Sequence, residues 1–204
     1  MSPRKYDSGK RQAAAEETRT RILDAARGLL AGPTPTAVSV DAVAKAADVS
    51  RQTVYNTFGS KSGLLEGLFD ALAAHSGMHL ADAFRAPDLP TALAHVADSF
   101  CRFWESDRVV LRRLRGMGAL DADLGRQLRE RDAMRRTVLA TVLAKFDAAP
   151  DEGAIDAVWQ LTGFETYDAL AGHRADGAAE RSAAETAQVV TAAALAILAA
   201  ATED

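Results

Sequence analysis

The stretch Ser39 to Leu65, SVDAVAKAADVSRQTVYNTFGSKSGLL, constrains this chain more than any other. It reads as two short helices joined by a tight turn, then the start of a third. Ser39 is placed to cap the first helix, with Asp41 favourable near its positive dipole end. Val43, Ala44 and Ala47 form its apolar face, and Asp48 and Val49 form the turn. Ser50 caps the second helix, Arg51 to Phe58. Gly59 is expected to stop that helix as a left-handed C-cap, and Ser60 caps the helix that follows. Ala46 and Ala47 are small enough to let the helices cross closely. On the second helix Val54 and Phe58 point inward, so Arg51, Gln52, Thr53 and Asn56 point outward.

That outward set is a poor choice for a core helix and a good one for a DNA groove. Arginine pairs bidentately with guanine, Gln or Asn pairs with adenine, and a threonine methyl touches thymine. Tyr55 and Lys61 are suited to phosphate oxygens, which fix register rather than sequence. The residues expected at the DNA are Ser39, Ser50, Arg51, Gln52, Thr53, Tyr55, Asn56 and Lys61. Charge agrees. The chain carries a net −4, divided into +4 over residues 1–65 and −8 over residues 66–204. A positive head on a negative body presents only its head to a polyanion.

The rest of the chain reads as all-α. Alanine is frequent, prolines are few, and no credible strand or internal repeat occurs. Residues 1–15 lack periodicity and read as an unstructured arm bearing Arg4, Lys5, Lys10 and Arg11. Such an arm is either a solvated tail or a phosphate or minor-groove contact. A helix follows from about Glu17 to Ala31, with the stripe Ile22, Ala26, Leu29 and Leu30, ended by Gly32-Pro33. Further helices are expected from Lys61 to near Arg85, with Gly77 as a possible break, and from Pro90 to about Glu105. Others are expected over Arg108–Met117, Asp121–Phe146, Glu152–Ala171 and Glu180–Ala201, with Ala149-Pro150 as a break. The N-terminus has no apolar signal core, and the run Val189–Ala201 is shorter than the roughly 20 residues of a membrane span. A cytoplasmic protein with no membrane partner is expected.

Residues 17–66 resemble the DNA-binding head of the TetR family of bacterial regulators. The resemblance is carried by Val43-Ala44, Val49-Ser50, Thr53, Tyr55, Phe58, Ser60-Lys61 and Leu64-Leu65. It implies a three-helix helix-turn-helix head over residues 1–66. A C-terminal antiparallel helical bundle over 67–204 would bind a small effector and dimerise. It also implies a repressor on a near-palindromic double-stranded DNA operator, released by that effector. Two departures matter. Asp48 stands where the family usually has glycine, and Asn56-Thr57 stand where aromatic or histidine residues are common. The first bears on the turn, the second on which operator is read. Gly63 is a weak helix former in the first turn of its helix.

The residues of the body support the implied roles in part. Val189, Ala193, Ile197 and Ala200 form a stripe that would let helices of two subunits pack closely, and Phe164 and Tyr167 are candidates for the same homodimer interface. Phe100, Phe103, Trp104, Leu111, Leu114, Met117, Met134, Leu139 and Trp159 are candidates for an apolar or aromatic effector cavity; for each, plain core is the alternative. His75, His79 and Asp82 would share a helix face at metal-binding spacing, although no metal or cofactor is expected. Arg108, Arg112, Arg113 and Arg115 read as a solvated or salt-bridged face rather than an anion grip. Cys101 reads as a buried small hydrophobe. No nucleophile elbow, phosphate loop or catalytic carboxylate pair is present, so no enzyme is expected. Rival readings keep the fold: an activator or corepressor-dependent regulator, or a helical small-molecule-binding protein whose head has lost DNA binding.

Overall fold

A computed structural model describes residues 4–32, 38–146, 151–172 and 180–201, with side chains from residue 9 onward. Eleven helices and no strand occur among the described residues. The head is built from α1 (Arg4–Ala31), α2 (Val40–Ala46) and α3 (Arg51–Phe58). The body is built from α4 (Lys61–His75), α5 (Ala81–Arg85), α6 (Leu89–Ser106), α7 (Arg108–Gly118), α8 (Ala122–Lys145), α9 (Glu152–Leu161), α10 (Phe164–Gly172) and α11 (Ala183–Ala200). The boundary expected at residue 66 falls inside α4, which serves both parts.

The head closes around Ile22, Ala26 and Leu30 of α1, Val43 and Ala44 of α2, Val54 of α3 and Leu64 and Leu65 of α4, all buried. α1 begins at Arg4, so residues 4–15 are helical rather than an unstructured arm. The cause is local. Lys10 to Glu17 are all strong helix formers, and they extend the helix although residues 9–17 are exposed and bury nothing. The breaks expected at Pro33 and at Ala149-Pro150 lie outside the described residues.

The turn between α2 and α3 is a Schellman motif. The Val49 N–H donates to the Ala44 carbonyl at 3.0 Å and the Asp48 N–H to Lys45 at 3.4 Å. Asp48 takes φ +52°, the left-handed region where glycine is the easiest occupant and Asp among the tolerated ones. Gly59 also has positive φ, but its ψ of −45° is not that of a left-handed cap. The Ser60 N–H donates to the Phe58 carbonyl at 2.9 Å, so Gly59 is the centre of a γ-turn that reverses the chain from α3 into α4. This turn brings the first turn of α4 hard against the end of α3. A Cβ on Gly63 would overlap the Phe58 carbonyl oxygen, and one on Gly67 would lie 3.0 Å from the Phe58 ring. Gly63 is thus a packing requirement, not merely a weak helix former.

In the body α6 is the central helix. Its buried face carries Leu93, Val96, Ala97, Phe100, Phe103 and Trp104, packed against α11 and α5. Phe103 meets Trp104 at 4.5 Å between ring centroids and Phe69 of α4 edge-on at 5.2 Å. Trp104 meets Phe164 of α10 edge-on at 5.6 Å, and its indole N–H donates to the Thr162 carbonyl at 3.0 Å. Two long helices expected from the sequence are broken. The helix from Lys61 ends at His75, and Gly77 at φ +67° separates it from α5. The helix expected over Glu152–Ala171 stops at Leu161 and restarts at Phe164.

Head and body are joined by polar clasps. Arg113 of α7 donates to the Leu30 and Gly32 carbonyls at the end of α1, the latter at 2.6 Å, and Arg27 pairs with Asp107. Carbonyls at a helix C-terminus otherwise lack partners, so a cation there stabilises both sides of the joint. On the other side Gln127 of α8 donates to Glu66 at 2.9 Å, and Arg131 pairs with Glu66 at 3.4 Å and Asp70 at 2.9 Å.

Gly63→Ala should lower stability by about 1–3 kcal/mol, because backbone oxygen cannot move aside as a flexible side chain would. Asp48→Gly should raise it, on the order of 1 kcal/mol. Thermal and urea unfolding of the full chain measure both; equal or reversed signs would contradict the turn geometry described.

A candidate nucleic-acid interface and a body cavity

The three serines expected as caps fill that role. The hydroxyl oxygens of Ser39, Ser50 and Ser60 accept from the backbone N–H of Ala42, Thr53 and Gly63 at 3.1, 3.0 and 2.9 Å. Each cap satisfies an N–H that would otherwise lack a partner, worth about 1 kcal/mol apiece. They fix where α2, α3 and α4 begin, and hence which face of α3 is outward. Val54 is fully buried and Phe58 packs beneath Arg19, whose guanidinium lies 4.7 Å from the ring centroid. Arg51, Gln52 and Asn56 are exposed, with Thr53, Tyr55 and Lys61 half-buried beside them.

This outward face is internally paired. Arg51 lies 3.3 Å from a carboxylate oxygen of Asp41 on α2 and 3.4 Å from the Tyr55 hydroxyl. Gln52 donates to the Asn56 side-chain oxygen at 2.8 Å. All these pairs are solvent-exposed, where an ion pair contributes little, so they yield readily to stronger partners.

The body holds a cavity of about 170 Å³ between α4, α6 and α8. Of the residues expected there from the sequence, Phe100, Phe103, Trp104 and Met134 line it; Met134 is 69% exposed, at the mouth. Leu111, Leu114 and Leu139 do not line it, being fully buried core between helices. Met117 packs on that core instead. Trp159 lies behind the wall, its indole N–H donating to the Asp132 carbonyl at 2.9 Å. Phe69, Met78 and Leu80 complete the apolar lining, and Arg131, Asp132 and Arg135 form a polar end.

Arg135 is a buried charge outside the residues expected from the sequence. It is only 6% exposed, and its guanidinium sits 5.8 Å from the Phe100 ring centroid and 5.1 Å from that of Trp159. Burial pulls it down to about 10, opposed by Asp132 and reinforced by the nearby charge of Arg115, so it stays a cation at neutral pH. One sequence signal could have found it. Arg135 lies seven residues after Leu128 and four before Leu139, on the buried stripe of α8 where an apolar residue is normal.

Phe164 and Tyr167 are 3% and 2% exposed within the single chain, which removes them from any surface offered to a second copy. The break at Thr162-Gly163 turns them inward against α6. Val189 is 40% exposed, Ala200 exposed, and Ala193 and Ile197 half-buried on α11. α11 has the length and composition of a membrane-crossing helix, although one face packs on α6 and α9 and a Ser182–Glu185 capping box starts it. His75 and His79 do not share a helix face, because the chain leaves the helix between them. The four arginines of α7 are partnered: Arg108 and Arg112 with Asp168 at 2.6 Å each, Arg115 with Asp132 and Glu165, Arg113 with the end of α1. Burial works to raise the Asp168 carboxyl, but hydrogen bonds from Arg112 and Arg108 outweigh it and hold it below the usual range. That clasp is present at neutral pH and is lost as acid protonates Asp168.

A short outward-facing helix set between fixed caps, on an all-helical body, defines a helix-turn-helix protein. Residues 22–68 match the family of bacterial regulatory proteins, tetR family. Over 56 residues it is 45% identical to the HTH-type transcriptional regulator AlkX of Mycobacterium tuberculosis, a match spanning 28% of this chain and only 26% of that regulator. The whole fold is similar to a protein of Mesorhizobium loti described as a TetR-family transcriptional regulator. There the TM-score is 0.64 at 19% identity, covering 91% of this chain and 97% of the other. It is also similar to the TetR-family repressor AlkX of a Dietzia species, implicated in biodegradation of n-alkanes, with TM-score 0.51 at 21% identity, covering 91% and 95%. At these identities the whole-chain likeness is one of fold.

Cys101 is buried, and its thiol is pushed up to about 12, by burial first and then by Asp98 and Glu105. The reactive thiolate is therefore nearly absent at neutral pH. Iodoacetamide should label the native chain far more slowly than the unfolded one, as read by mass spectrometry; equal rates would place the thiol at the surface.

Proposed function

We propose that this chain is a homodimeric, ligand-responsive transcriptional repressor. It binds a near-palindromic double-stranded DNA operator and is released by a small apolar or aromatic effector, in the cytoplasm where such DNA lies. The observation that carries this reading is the outward face of α3. Arg51, Gln52 and Asn56 are exposed on a helix fixed at both ends, in a head of the tetR family. On DNA, Arg51 leaves Asp41 for a base edge, Gln52 and Asn56 exchange each other for bases, and Ser39, Ser50, Thr53, Tyr55 and Lys61 hold the backbone. Two such helices in successive major grooves require a two-fold pair of chains.

The exposed side of α11 is the natural seam for that pair. Val189, Ala192, Ala196 and Ala200 are exposed along one helix with no charge after Glu185. Small side chains there favour close helix packing. Release follows from α4. Arg131 lines the cavity, pairs with Glu66 and Asp70 and lies 5.0 Å from the Phe69 ring centroid. An effector that displaces these contacts shifts α4, and α4 is seated directly on Phe58 of the reading helix. A coupling of about 1–3 kcal/mol suffices to change occupancy.

The test begins with sites selected from random DNA by the purified chain, followed by anisotropy titrations. Lys61→Ala should weaken binding to all sequences and reduce the salt slope by about one. Arg51→Ala and Asn56→Ala should instead change base preference at single positions by roughly 1–3 kcal/mol. Uniform losses from all three would contradict this division of labour, and unchanged binding would favour a head without DNA function. Ligand that tightens rather than loosens the complex would make the chain a corepressor-dependent regulator.

Val189→Asp should convert the dimer to a monomer in sedimentation velocity, because a lone carboxylate would be buried at the seam. A dimer that survives it would move the seam elsewhere.

A further inference from the structure

The first half of α1 does not contribute to the packing of the head. Residues 9–17 are all exposed, and none of them belongs to the core or packs against it. From Arg4 to Glu17 the helix runs about 21 Å at 1.5 Å per residue. A helix of that length is marginal alone and persists here as the continuation of a packed one. Its charge is one-sided. Over residues 4–15 four basic residues, Arg4, Lys5, Lys10 and Arg11, stand against one acid, Asp7.

Contacts along α1 fix where this extension points. The C-terminal end is held to the body, where Arg113 donates to the Gly32 carbonyl and Arg27 pairs with Asp107. Leu23 and Arg27 then share a cleft with Leu68, Leu72 and His75 of α4. Arg19 has reached the end of the reading helix, its guanidinium 4.7 Å from the Phe58 ring centroid and beside Gly67. The two helices therefore run alongside in the same direction, and residues 4–17 continue away from the body past the first turn of α4. At 1.5 Å per residue Lys61 lies about 9 Å beyond Gly67 and Arg11 about 12 Å beyond Arg19, so the two cations come to nearly the same level. The face agrees. Ile22 and Ala26 are fully buried in the head, and at helical spacing their stripe runs on through Thr18 and Ala15 to Arg11. Lys10 flanks that stripe, and Glu16 and Glu17 fall on the opposite side of the helix. Beyond the edge of the head, the face that elsewhere turns into the core turns toward whatever the head sits on.

We propose that the N-terminal half of α1 is a second DNA contact, a helical strut whose Lys10 and Arg11 bind phosphates of the duplex flanking the bases that α3 reads. This rests on the reading of the α3 face as the DNA-contacting surface, and adds to it a grip outside the half-site that carries no sequence information. Charge complementarity selects the occupant, since a polyanion suits exposed cations continuous with Lys61. Width selects the mode. A helix with its side chains is about 10–12 Å across and the minor groove about 6 Å wide, so the strut cannot enter the groove and lies along its phosphate rim. Ala13, Ala14 and Ala15 let the helix come close and offer nothing that reads a base edge. Such contacts fix position rather than sequence, and each phosphate neutralised makes binding more sensitive to salt.

The experiment places the DNA site selected by the full-length chain within longer flanking duplex, and follows binding by anisotropy across a salt series and by hydroxyl-radical footprinting. The double variant Lys10→Gln with Arg11→Gln puts helix formers at exposed positions. It should lower the salt slope by roughly two per bound chain, so that its deficit narrows about tenfold between about 50 and 200 mM salt. Backbone protection should recede from the flanks, and base preference within the site should stay as in the wild-type chain. Ala14→Pro keeps every charge and breaks the helix between Arg11 and Thr18; it should lose the same flanking protection. Both changes lie outside the head core, so the head folds in each. An unchanged slope and footprint in the Gln variant make the extension a solvated tail and overturn the proposal. Protection that survives Ala14→Pro, or a preference for A·T-rich flanks, makes it a flexible minor-groove arm and overturns it too. A wild-type chain that binds no duplex defeats the α3 reading and this proposal together; one that binds its site no better than the Gln variant defeats this proposal alone.

Discussion

The seat of α4 on the end of α3 is the contact on which the molecule's organisation turns. A γ-turn at Gly59 reverses the chain, and Gly63 and Gly67 leave room for Phe58 to lie directly against the α4 backbone. With side chains at those positions the two helices would stand apart, and the head would hang from the body by a loop. As built, one continuous helix carries Leu64 and Leu65 into the head core and Phe69 into the aromatic cluster of the body. Helices are stiff along their axes, so a small displacement at the Phe69 end is delivered to Phe58 with little loss. The second joint, Arg113 and Arg27 against the end of α1, holds the opposite side and gives that displacement something to pivot against.

The head was legible because its determinants are local. A cap is a serine followed by helix formers, a turn is a small residue at a defined offset, and an inward face is a helical spacing. Ser39, Ser50, Ser60, Asp48 and Val54 all occupy the roles that their neighbours in sequence dictate. At Gly59 the sequence indicates the positive φ but not the ψ, so a γ-turn stands where a left-handed cap is expected. The start of α1 was missed for the opposite reason. Lys10 to Glu17 have strong helix propensity but no apolar period, so their pattern alone does not distinguish a helix from an arm.

The body was legible only in outline, because its determinants are between helices. A single glycine, Gly163, is the one local mark of the break after Leu161, and without that break Phe164 and Tyr167 seem to extend an exposed stripe. Leu111, Leu114 and Met134 have similar composition, yet two are sealed core and the third is a cavity mouth. That distinction depends on how α6, α7 and α8 are spaced. Arg135 is instructive: its position on the α8 stripe beside Asp132 is visible in the sequence, but its setting needs Arg115 of α7 and Trp159 of α9 brought against it.

The pairing of Arg51 with Asp41, and of Gln52 with Asn56, gives the reading helix a resting state of its own. On the proposed function, the side chains that would meet DNA hold one another in place beforehand, at a small cost that every DNA sequence bears alike. The pairs therefore lower affinity for all sequences slightly and leave the choice among them to the base contacts, while the outward face stays ordered before any encounter.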